Sequence, residues 1–304
     1  MPGAPGHCPV TMNKRPLGRT GLQVSEIGFG CGMVAGLFTR DAPALQREAV
    51  ARAVDLGISH FDTAPVYGDT ASESNLGAVL HQLRPEVTLA TKVALNFNEL
   101  DDIYGAVIRS VEGSLRRLRR ERIDLIQLHN RVGAERALRP DIGSGAQLSL
   151  QDILGSRGVV DAFCALHAQG KVAHFGCCAF GGDALLARNM IDSAVFDTVL
   201  VHYSLSNRSA WETPSDASVR DYGLAGARAA ANGMGTIAVR VLEAGALARA
   251  TPTRLPPVEA AIRFALSNPQ VSTALVGFSD IGQIEEAVRC AARGPLADGE
   301  IAPL

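Results

Sequence analysis

The regular alternation of two kinds of segment constrains the fold of this chain more than any other feature. Short apolar runs rich in β-branched residues alternate with longer segments of helical periodicity, and Gly, Pro, Asp or Asn separates them. The strands are predicted near residues 26–30, 58–62, 87–92, 124–129, 174–178, 198–202, 235–240 and 272–276. The helices are predicted near residues 44–56, 72–81, 101–118, 159–169, 183–193, 218–232, 257–267 and 281–292. Because parallel strands need long crossover connections, this order predicts a parallel sheet covered by helices.

The domain organisation is inferred from the lack of a flexible linker between these strand and helix units. The 304 residues are enough for two average domains, but no Gly- or Ser-rich linker divides the chain. This favours an α/β fold with a single (β/α)8 TIM barrel over residues 14–304, and an open doubly wound sheet is the alternative. Residues 15–24 carry two apolar patches around a Gly-Arg-Thr-Gly turn, which predicts an N-terminal β-hairpin closing the barrel floor. Residues 1–13 are predicted to be a disordered N-terminal segment.

Composition and charge exclude several classes of protein. The chain has 29 Lys and Arg against 31 Asp and Glu, a net charge of -2, so a nucleic-acid partner is not expected. The Arg-rich run at 116–122 ends a predicted helix, where the helix dipole favours cations, and is interpreted as a solvated helix end. No apolar run is long enough to cross a membrane and the opening residues do not resemble a signal peptide, so we expect a cytoplasmic protein without membrane association. The sequence does not indicate an oligomeric state.

Four polar residues follow consecutive apolar runs at the predicted catalytic end of the barrel. Asp62, Lys92 and His129 end the second, third and fourth strands, and Tyr67 lies in the loop after Asp62. A tyrosine of ordinary pKa, about 10, is a slow acid at neutral pH unless a cation such as Lys92 stabilises its phenolate. Asp62 would hold the ammonium group and His129 would donate a hydrogen bond to a substrate oxygen. Each residue alone has a structural explanation, but the four together predict a proton donor that faces a carbonyl group.

Several longer segments carry a resemblance to a known family. They are residues 15–25, 57–64 with Tyr67-Gly68, 73–77, 90–92, 114–118, 123–129 and 276–280. The sequence resembles the aldo-keto reductase family from about Arg15 to Ala292. The resemblance implies that Tyr67 is the general acid and base, that Lys92 and Asp62 tune it, and that His129 orients the carbonyl. It also implies a nicotinamide dinucleotide as the hydride source.

The resemblance places the cofactor along the carboxyl ends of the strands. The residues it implies are Gly30, Cys178, Ala179, Leu200, Arg240, Leu242, Gly277, Phe278, Ser279, Gln283 and Glu286. Cys178-Ala179 replaces a Ser-Asn pair of the family, Leu200 replaces a glutamine, and Arg240 lies near the position of an aromatic that stacks on nicotinamide. The glycine run at 28–32 lacks dinucleotide-fingerprint spacing and is interpreted as a tight turn. Family habit favours NADP (NADPH), whereas Asp280 would suit the free 2′-hydroxyl of NAD, which is the alternative.

The substrate pocket is predicted to include Asn130 and Trp211, although Trp211 is equally well explained as a packing anchor. The loops 131–157 and 207–219 shape this pocket, so the sequence does not specify the small carbonyl or sugar substrate. The leading prediction is NAD(P)H-dependent reduction of aldehydes or ketones. The alternatives are an aldose dehydrogenase working in the oxidative direction and a non-catalytic protein that senses the cofactor. A metal-dependent hydrolase using His60, His174 and His202 is disfavoured, because His174 begins its strand at the wrong rim, and no metal is expected.

Overall fold

The computed structural model describes residues 12–138, 145–243, 255–297 and Glu300. The strands are β1 (Lys14–Pro16), β2 (Gln23–Ser25), β3 (Ile27–Gly30), β4 (His60–Asp62), β5 (Thr88–Val93), β6 (Ile123–Leu128), β7 (Arg131–Val132), β8 (Gln147–Leu148), β9 (Val172–Cys178), β10 (Thr198–His202), β11 (Gly235–Val239) and β12 (Val271–Gly277). The α-helices are α1 (Pro43–Asp55), α2 (Ala71–Leu83), α3 (Ile103–Leu118), α4 (Leu150–Leu154), α5 (Val159–Ala168), α6 (Ala184–Asp192), α7 (Ala225–Ala231), α8 (Pro257–Ser267) and α9 (Ile281–Ala292).

Eight of these strands form a closed parallel barrel in the order β10-β11-β12-β3-β4-β5-β6-β9. Each of the eight predicted strands and helices has a counterpart, so the predicted (β/α)8 barrel is confirmed and the open sheet is wrong. The helix predicted near 218–232 is shorter and begins at Ala225, because Leu224 before it adopts a left-handed backbone with φ of 57°. The short helix α4 and a 3-10 helix at Phe97–Asp102 were not predicted.

The floor of the barrel is closed by the predicted hairpin. Strands β1 and β2 pair antiparallel, and Leu17 and Val24 are fully buried against Leu125 and Ile237 inside the barrel. At the turn, Gly18 has φ of 54°, and a Cβ there would lie 2.0 Å from the backbone nitrogen of Gly235. Only glycine permits this approach of the hairpin to β11.

The predicted disordered segment 1–13 lies mostly outside the described residues. Its last two residues belong to the packed structure. Met12 is buried in the main core, and the carbonyl of Asn13 accepts a hydrogen bond from the backbone N–H of Glu26 at 3.0 Å. The prediction is therefore corrected for Met12 and Asn13, whose contacts secure the chain before β1.

Among the parts of the chain that the structure describes, none of the helices is both long and apolar enough to cross a bilayer.

A buried ion pair joins α2 to α3 on the outside of the barrel. The Glu73 side chain is fully buried, accepts a hydrogen bond from the Thr91 hydroxyl at 2.6 Å, and pairs with the Arg117 guanidinium at 2.6 Å. Arg117 belongs to the Arg-rich run that was interpreted as solvated, so that interpretation is wrong for this residue. The pair fixes the helix crossing by neutralising a carboxylate that has no access to water.

We expect Arg117→Met to lower the free energy of unfolding by about 3 kcal/mol, because it leaves the Glu73 carboxylate buried without a counter-charge. The adjacent Arg116 is exposed, so Arg116→Met is the matched control and should change the free energy of unfolding by less than about 0.5 kcal/mol. Urea denaturation measures both variants. Equal losses in the two variants would show that the Glu73–Arg117 pair does not stabilise the helix packing.

Candidate active site

A cavity of about 620 Å³ opens at the carboxyl ends of the barrel strands. Its wall includes residues from the ends of β3, β4, β10, β11 and β12 and from the loops that follow them. The lining residues are Gly30, Gly32, Met33, Val34, Ala35, Asp62, Tyr67, His129, Arg131, Phe180, Leu200, Val239, Arg240, Val241, Leu242, Pro257, Val258, Leu275, Val276, Gly277, Ser279 and Gln283. The wall is apolar over most of this surface, and its polar side chains are concentrated around Tyr67 and around Ser279.

Asp62 and Lys92 form a buried ion pair at the bottom of this cavity. The Lys92 ammonium bonds to a carboxylate oxygen of Asp62 and donates to the carbonyl of Thr63 at 2.8 Å. Burial lowers the pKa of Lys92, but the charges of Asp62 and Tyr67 outweigh that effect, so the net shift is upward. Lys92 is therefore a cation at neutral pH.

Tyr67 lies between this cation and a histidine. The Lys92 nitrogen is 5.0 Å from the centre of the Tyr67 ring, and the Tyr67 and His129 rings are 5.9 Å apart and nearly perpendicular. Burial raises the pKa of the Tyr67 phenol, the charge of Lys92 lowers it, and burial prevails. The sequence-based expectation that Lys92 makes Tyr67 more acidic is met in direction, but Asp62 and burial oppose it, and the phenol stays protonated at neutral pH.

His129 is held in its neutral form. Burial, followed by the positive charges of Lys92 and Arg131, lowers its pKa to about 3. Its Nδ1 is buried and has no hydrogen-bond partner in the described parts of the chain. A neutral imidazole carries one N–H, so His129 is able to donate a hydrogen bond to an oxygen atom in the cavity without carrying charge.

Sequence reasoning missed Gln127, which supports the ion pair from β6. The Gln127 amide nitrogen donates to the second carboxylate oxygen of Asp62 at 2.8 Å, and both groups are buried. Asp62 therefore has a fixed orientation between Lys92 and Gln127. The signal was present in the sequence, because Gln127 precedes His129 by two residues and so shares the inward face of the strand.

The structure brings the four predicted catalytic residues together, and it separates the predicted cofactor residues into two groups. Those that line the cavity are Gly30, Leu200, Arg240, Leu242, Gly277, Ser279 and Gln283. The other four predicted residues, Cys178, Ala179, Phe278 and Glu286, lie outside its lining. For these four, a contact with the cofactor stays a prediction.

Burial explains why three of these four residues do not reach the cavity. Cys178 is buried in the apolar cluster inside the barrel, and Ala179 is 3% exposed. Phe278 is buried with its ring 5.0 Å from that of Phe29. Glu286 lies on α9 beyond the first turn, one residue after Glu285, which pairs with Arg52 of α1.

The two predicted substrate residues, Asn130 and Trp211, make contacts outside the cavity lining, and their part in binding a substrate stays a prediction. Asn130 is 1% exposed, and its side chain donates to the carbonyls of Leu95 and Ala146 and accepts from the N–H of Leu95, each at 2.8 Å. It therefore ties two loops together. Trp211 packs on Tyr203 with ring centres 4.5 Å apart, and its indole N–H donates to Gln270. This is the packing role that the sequence left open.

The three histidines of the hydrolase alternative do not converge. His174 lies 3.5 Å from Asp197, and the Nδ1 of His202 is 2.9 Å from the Tyr222 hydroxyl. His60 is fully buried inside the barrel, where burial lowers its pKa to about 4. In the described residues no cluster of three or more His, Cys, Asp or Glu side chains has the geometry of a metal site.

Comparison with known proteins gives a consistent result. The sequence model described as "Aldo/keto reductase family" matches residues 26–256. L-galactose dehydrogenase of Arabidopsis thaliana is 28% identical over 294 residues, covering 90% of this chain and 86% of that protein. Pyridoxal 4-dehydrogenase of Microbacterium luteolum is 30% identical over 192 residues, covering 54% of each protein. The holo form of an aldo-keto reductase from Bacillus halodurans has the same fold, with a TM-score of 0.73, 23% identity, and coverage of 95% of this chain and 94% of that one.

Proposed function

The chain belongs to the aldo/keto reductase family of oxidoreductases, and from this premise we propose that it reduces an aldehyde or ketone with a nicotinamide dinucleotide, with Tyr67 as the general acid. One observation carries the proposal. Tyr67 lines a cavity between the Lys92 ammonium, 5.0 Å from its ring centre, and the neutral His129 ring, 5.9 Å away. This is the arrangement needed to protonate an oxygen that becomes negatively charged.

The residues around the cavity fit a nicotinamide dinucleotide. The apolar wall next to Tyr67, formed by Leu200, Val239 and Leu275 among others, suits a flat nicotinamide ring. Ser279 and Gln283 line the other part of the cavity near the start of α9, where hydroxyl, amide and backbone N–H groups suit phosphate and ribose oxygens. When bound, the dinucleotide supplies the hydride.

The mechanism assigns each polar residue one role. His129 and the Tyr67 hydroxyl hold the carbonyl oxygen, and the His129 N–H donates to it without adding charge. As negative charge develops on that oxygen, Tyr67 transfers its phenolic proton to it. Lys92 then stabilises the tyrosinate, while Asp62 and Gln127 keep the ammonium in place. The apolar wall excludes water, which strengthens these electrostatic interactions.

NADPH is proposed as the preferred cofactor, with NADH as the alternative. Arg40, which sequence reasoning did not select, is exposed beside the phosphate end of the cavity, and its guanidinium donates to the backbone carbonyl of Ser279 at 3.4 Å. The Asp280 carboxylate is engaged as the N-cap of α9, where it accepts from the N–H of Gln283 at 3.0 Å. A cation therefore stands beside Ser279 while the neighbouring carboxylate is occupied, which supports binding of a 2′-phosphate.

We expect Arg40→Ala to weaken NADPH binding about tenfold relative to NADH binding, because a charge-assisted contact to the 2′-phosphate is lost. Arg47 is exposed on α1, and Arg47→Ala is the matched control. Dissociation constants for both dinucleotides come from the change in their fluorescence on titration. If Arg40→Ala weakens NADPH and NADH equally, Arg40 has no part in selecting the phosphate.

The proposed function is tested by following the absorbance of NADPH and of NADH with a panel of aldehydes, ketones and quinones. Turnover in the wild type and its loss in Tyr67→Phe would support carbonyl reduction. If both dinucleotides bind but neither is consumed, nor formed from sugars in the reverse assay, the chain is a cofactor-sensing protein rather than an enzyme.

The pH dependence follows from the states of His129 and Tyr67. Burial and neighbouring cations lower the pKa of His129 to about 3, so it remains neutral at and above pH 5. Burial raises the pKa of Tyr67, so the acid stays protonated until the pH exceeds about 10. We expect kcat/KM for carbonyl reduction to be level from about pH 6 to pH 9. An inflection near the ordinary histidine pKa of about 6.5 would contradict this description of the site.

A second candidate function is the reverse reaction, oxidation of a sugar. The relative named L-galactose dehydrogenase is 28% identical over 294 residues and favours it. The same residues serve both directions by microscopic reversibility, with the tyrosinate of Tyr67 as base. The direction is decided by comparing turnover of aldoses plus NADP or NAD with turnover of carbonyl compounds plus the reduced dinucleotides.

A further inference from the structure

A second cavity, of about 420 Å³, adjoins the candidate active site. It is lined by Arg131, Gly133, Ala134, Gln147, Gly182, Asp183 and Arg220. Arg131 lines both cavities, so the two cavities meet at this side chain. The function described so far does not use the second cavity.

The walls of the second cavity are held by backbone contacts between three loops. Strand β7 pairs with β8, Val132 forms a bridge with Gly182, and the N–H of Asp183 donates to the Val132 carbonyl at 2.9 Å. A Cβ on Gly182 would lie 2.0 Å from that carbonyl. These contacts fix the base of Arg131 and the rim around it before any ligand binds.

The second cavity presents a positive electrostatic environment. Arg131 and Arg220 line it, and the positive charges of Arg220, Arg131 and Arg240 oppose the rise that burial causes in the pKa of Tyr222. Among the described residues of its lining the one carboxylate is Asp183, which caps α6 by accepting from the N–H groups of Leu185 at 2.8 Å and Leu186 at 3.0 Å.

Two further carboxylates of the described residues, on the segments that follow Arg220 and Arg240, are also engaged. Asp221 accepts from the N–H of Gly223 at 2.6 Å, and Glu243 accepts from the hydroxyl of Ser204 at 2.6 Å. Across the described residues, Arg220 forms no ion pair. Arg220 therefore presents a positive charge to the cavity that no described carboxylate pairs with.

Two contacts orient the Arg220 guanidinium. Its guanidinium lies over the Tyr222 ring, 5.5 Å from the ring centre, and it donates to the carbonyl of Gly182 at 3.4 Å. Stacking on an aromatic ring restricts the plane of the guanidinium while leaving N–H groups at its edge for an oxyanion. Two arginines on opposing loops are the arrangement by which proteins bind carboxylate and phosphate groups.

We propose that the physiological substrate is a carbonyl compound that carries an oxyanionic group, carboxylate or phosphate, and that Arg131 and Arg220 bind this group while the carbonyl lies at Tyr67. The inference rests on the proposed function, since it places the second end of the same substrate. On this proposal, anionic aldehydes and ketones are better substrates than neutral ones of the same size.

The test compares substrates that differ only in the anionic group. Succinic semialdehyde is paired with butanal for the carboxylate, and glyceraldehyde 3-phosphate is paired with glyceraldehyde for the phosphate. We expect the wild type to favour the anionic member of at least one pair by about tenfold or more in kcat/KM. The pair that shows the preference identifies which oxyanion is bound.

Two variants test whether Arg220 causes the preference for anionic substrates. We expect Arg220→Met to reduce the ratio of anionic to neutral kcat/KM about tenfold, and because Arg220 is exposed, the variant is expected to fold. Arg122→Met removes the same charge from an exposed residue that precedes β6 at the opposite end of the barrel, and it should leave the ratio as in the wild type. Added NaCl should lower the ratio in the wild type more than in Arg220→Met.

The outcomes separate this inference from the proposed function. Turnover of neutral and anionic members at equal kcat/KM, or a preference that Arg220→Met and Arg122→Met reduce equally, overturns the anion site and leaves carbonyl reduction intact. Absence of turnover with all four compounds and with the neutral panel overturns the proposed function, and the inference with it.

Discussion

Tyr67→Phe is expected to reduce kcat for carbonyl reduction by roughly a thousandfold, because removal of a positioned general acid typically costs between a hundredfold and ten-thousandfold. The substitution removes only the hydroxyl, and the ring that contacts Lys92 and His129 is retained. Binding of the dinucleotide should therefore stay close to that of the wild type. Steady-state kinetics and a cofactor titration on the same protein measure the two effects.

The control for this substitution is Tyr104→Phe. Tyr104 lies on α3, where its ring contacts Arg157 at 4.8 Å, and it does not line the cavity. It should retain kcat within about twofold of the wild type. A Tyr67→Phe enzyme with more than a tenth of wild-type kcat would mean that another group supplies the proton.

Lys92→Met is expected to affect both activity and stability. We expect kcat to fall by a factor of roughly a hundred to a thousand, because the tyrosinate loses the Lys92 cation. We also expect the free energy of unfolding to fall by about 3–5 kcal/mol at neutral pH, because the Asp62 carboxylate is 3% exposed and loses its counter-charge. Kinetics and urea denaturation measure these effects separately.

The double variant Asp62→Asn/Lys92→Met distinguishes the two effects. Neutralising Asp62 removes the buried charge, and the Asn side chain is able to keep the hydrogen bond from Gln127, so stability should largely return. Activity should not return, because the cation is still absent. Recovery of kcat in the double variant would show that Lys92 acts only by neutralising Asp62.

The barrel was predictable because its signals are local. Each strand and helix carries its own hydrophobic period, and the rule that parallel strands need crossover helices turns that order into topology. The catalytic residues were predictable for a related reason. The carboxyl ends of parallel strands meet at one rim, so Asp62, Lys92 and His129 had to come close together once the strands were identified.

The surroundings of the other predicted residues depend on contacts between distant segments, which the sequence pattern does not describe. Cys178 ends β9 as predicted, and its side chain is buried in the apolar cluster inside the barrel. Trp211 lies in a polar loop, and the sequence allows either a place in the pocket or a packing role. Its ring packs on Tyr203, which lies in the segment after β10. Arg131 and Arg220 both line the second cavity because of the conformations of three loops. The hydrophobic periodicity of the sequence does not describe loop conformations.

The most direct test of the account follows the hydrogen atoms. The enzyme is supplied with an accepted aldehyde and with NADPH doubly deuterated at C4 of the nicotinamide, in ordinary water, and the alcohol product is examined by mass spectrometry and NMR. The account predicts one deuterium on the carbinol carbon and a hydroxyl proton from Tyr67 that exchanges with solvent. An alcohol without deuterium on that carbon would contradict direct hydride transfer at the Tyr67 site.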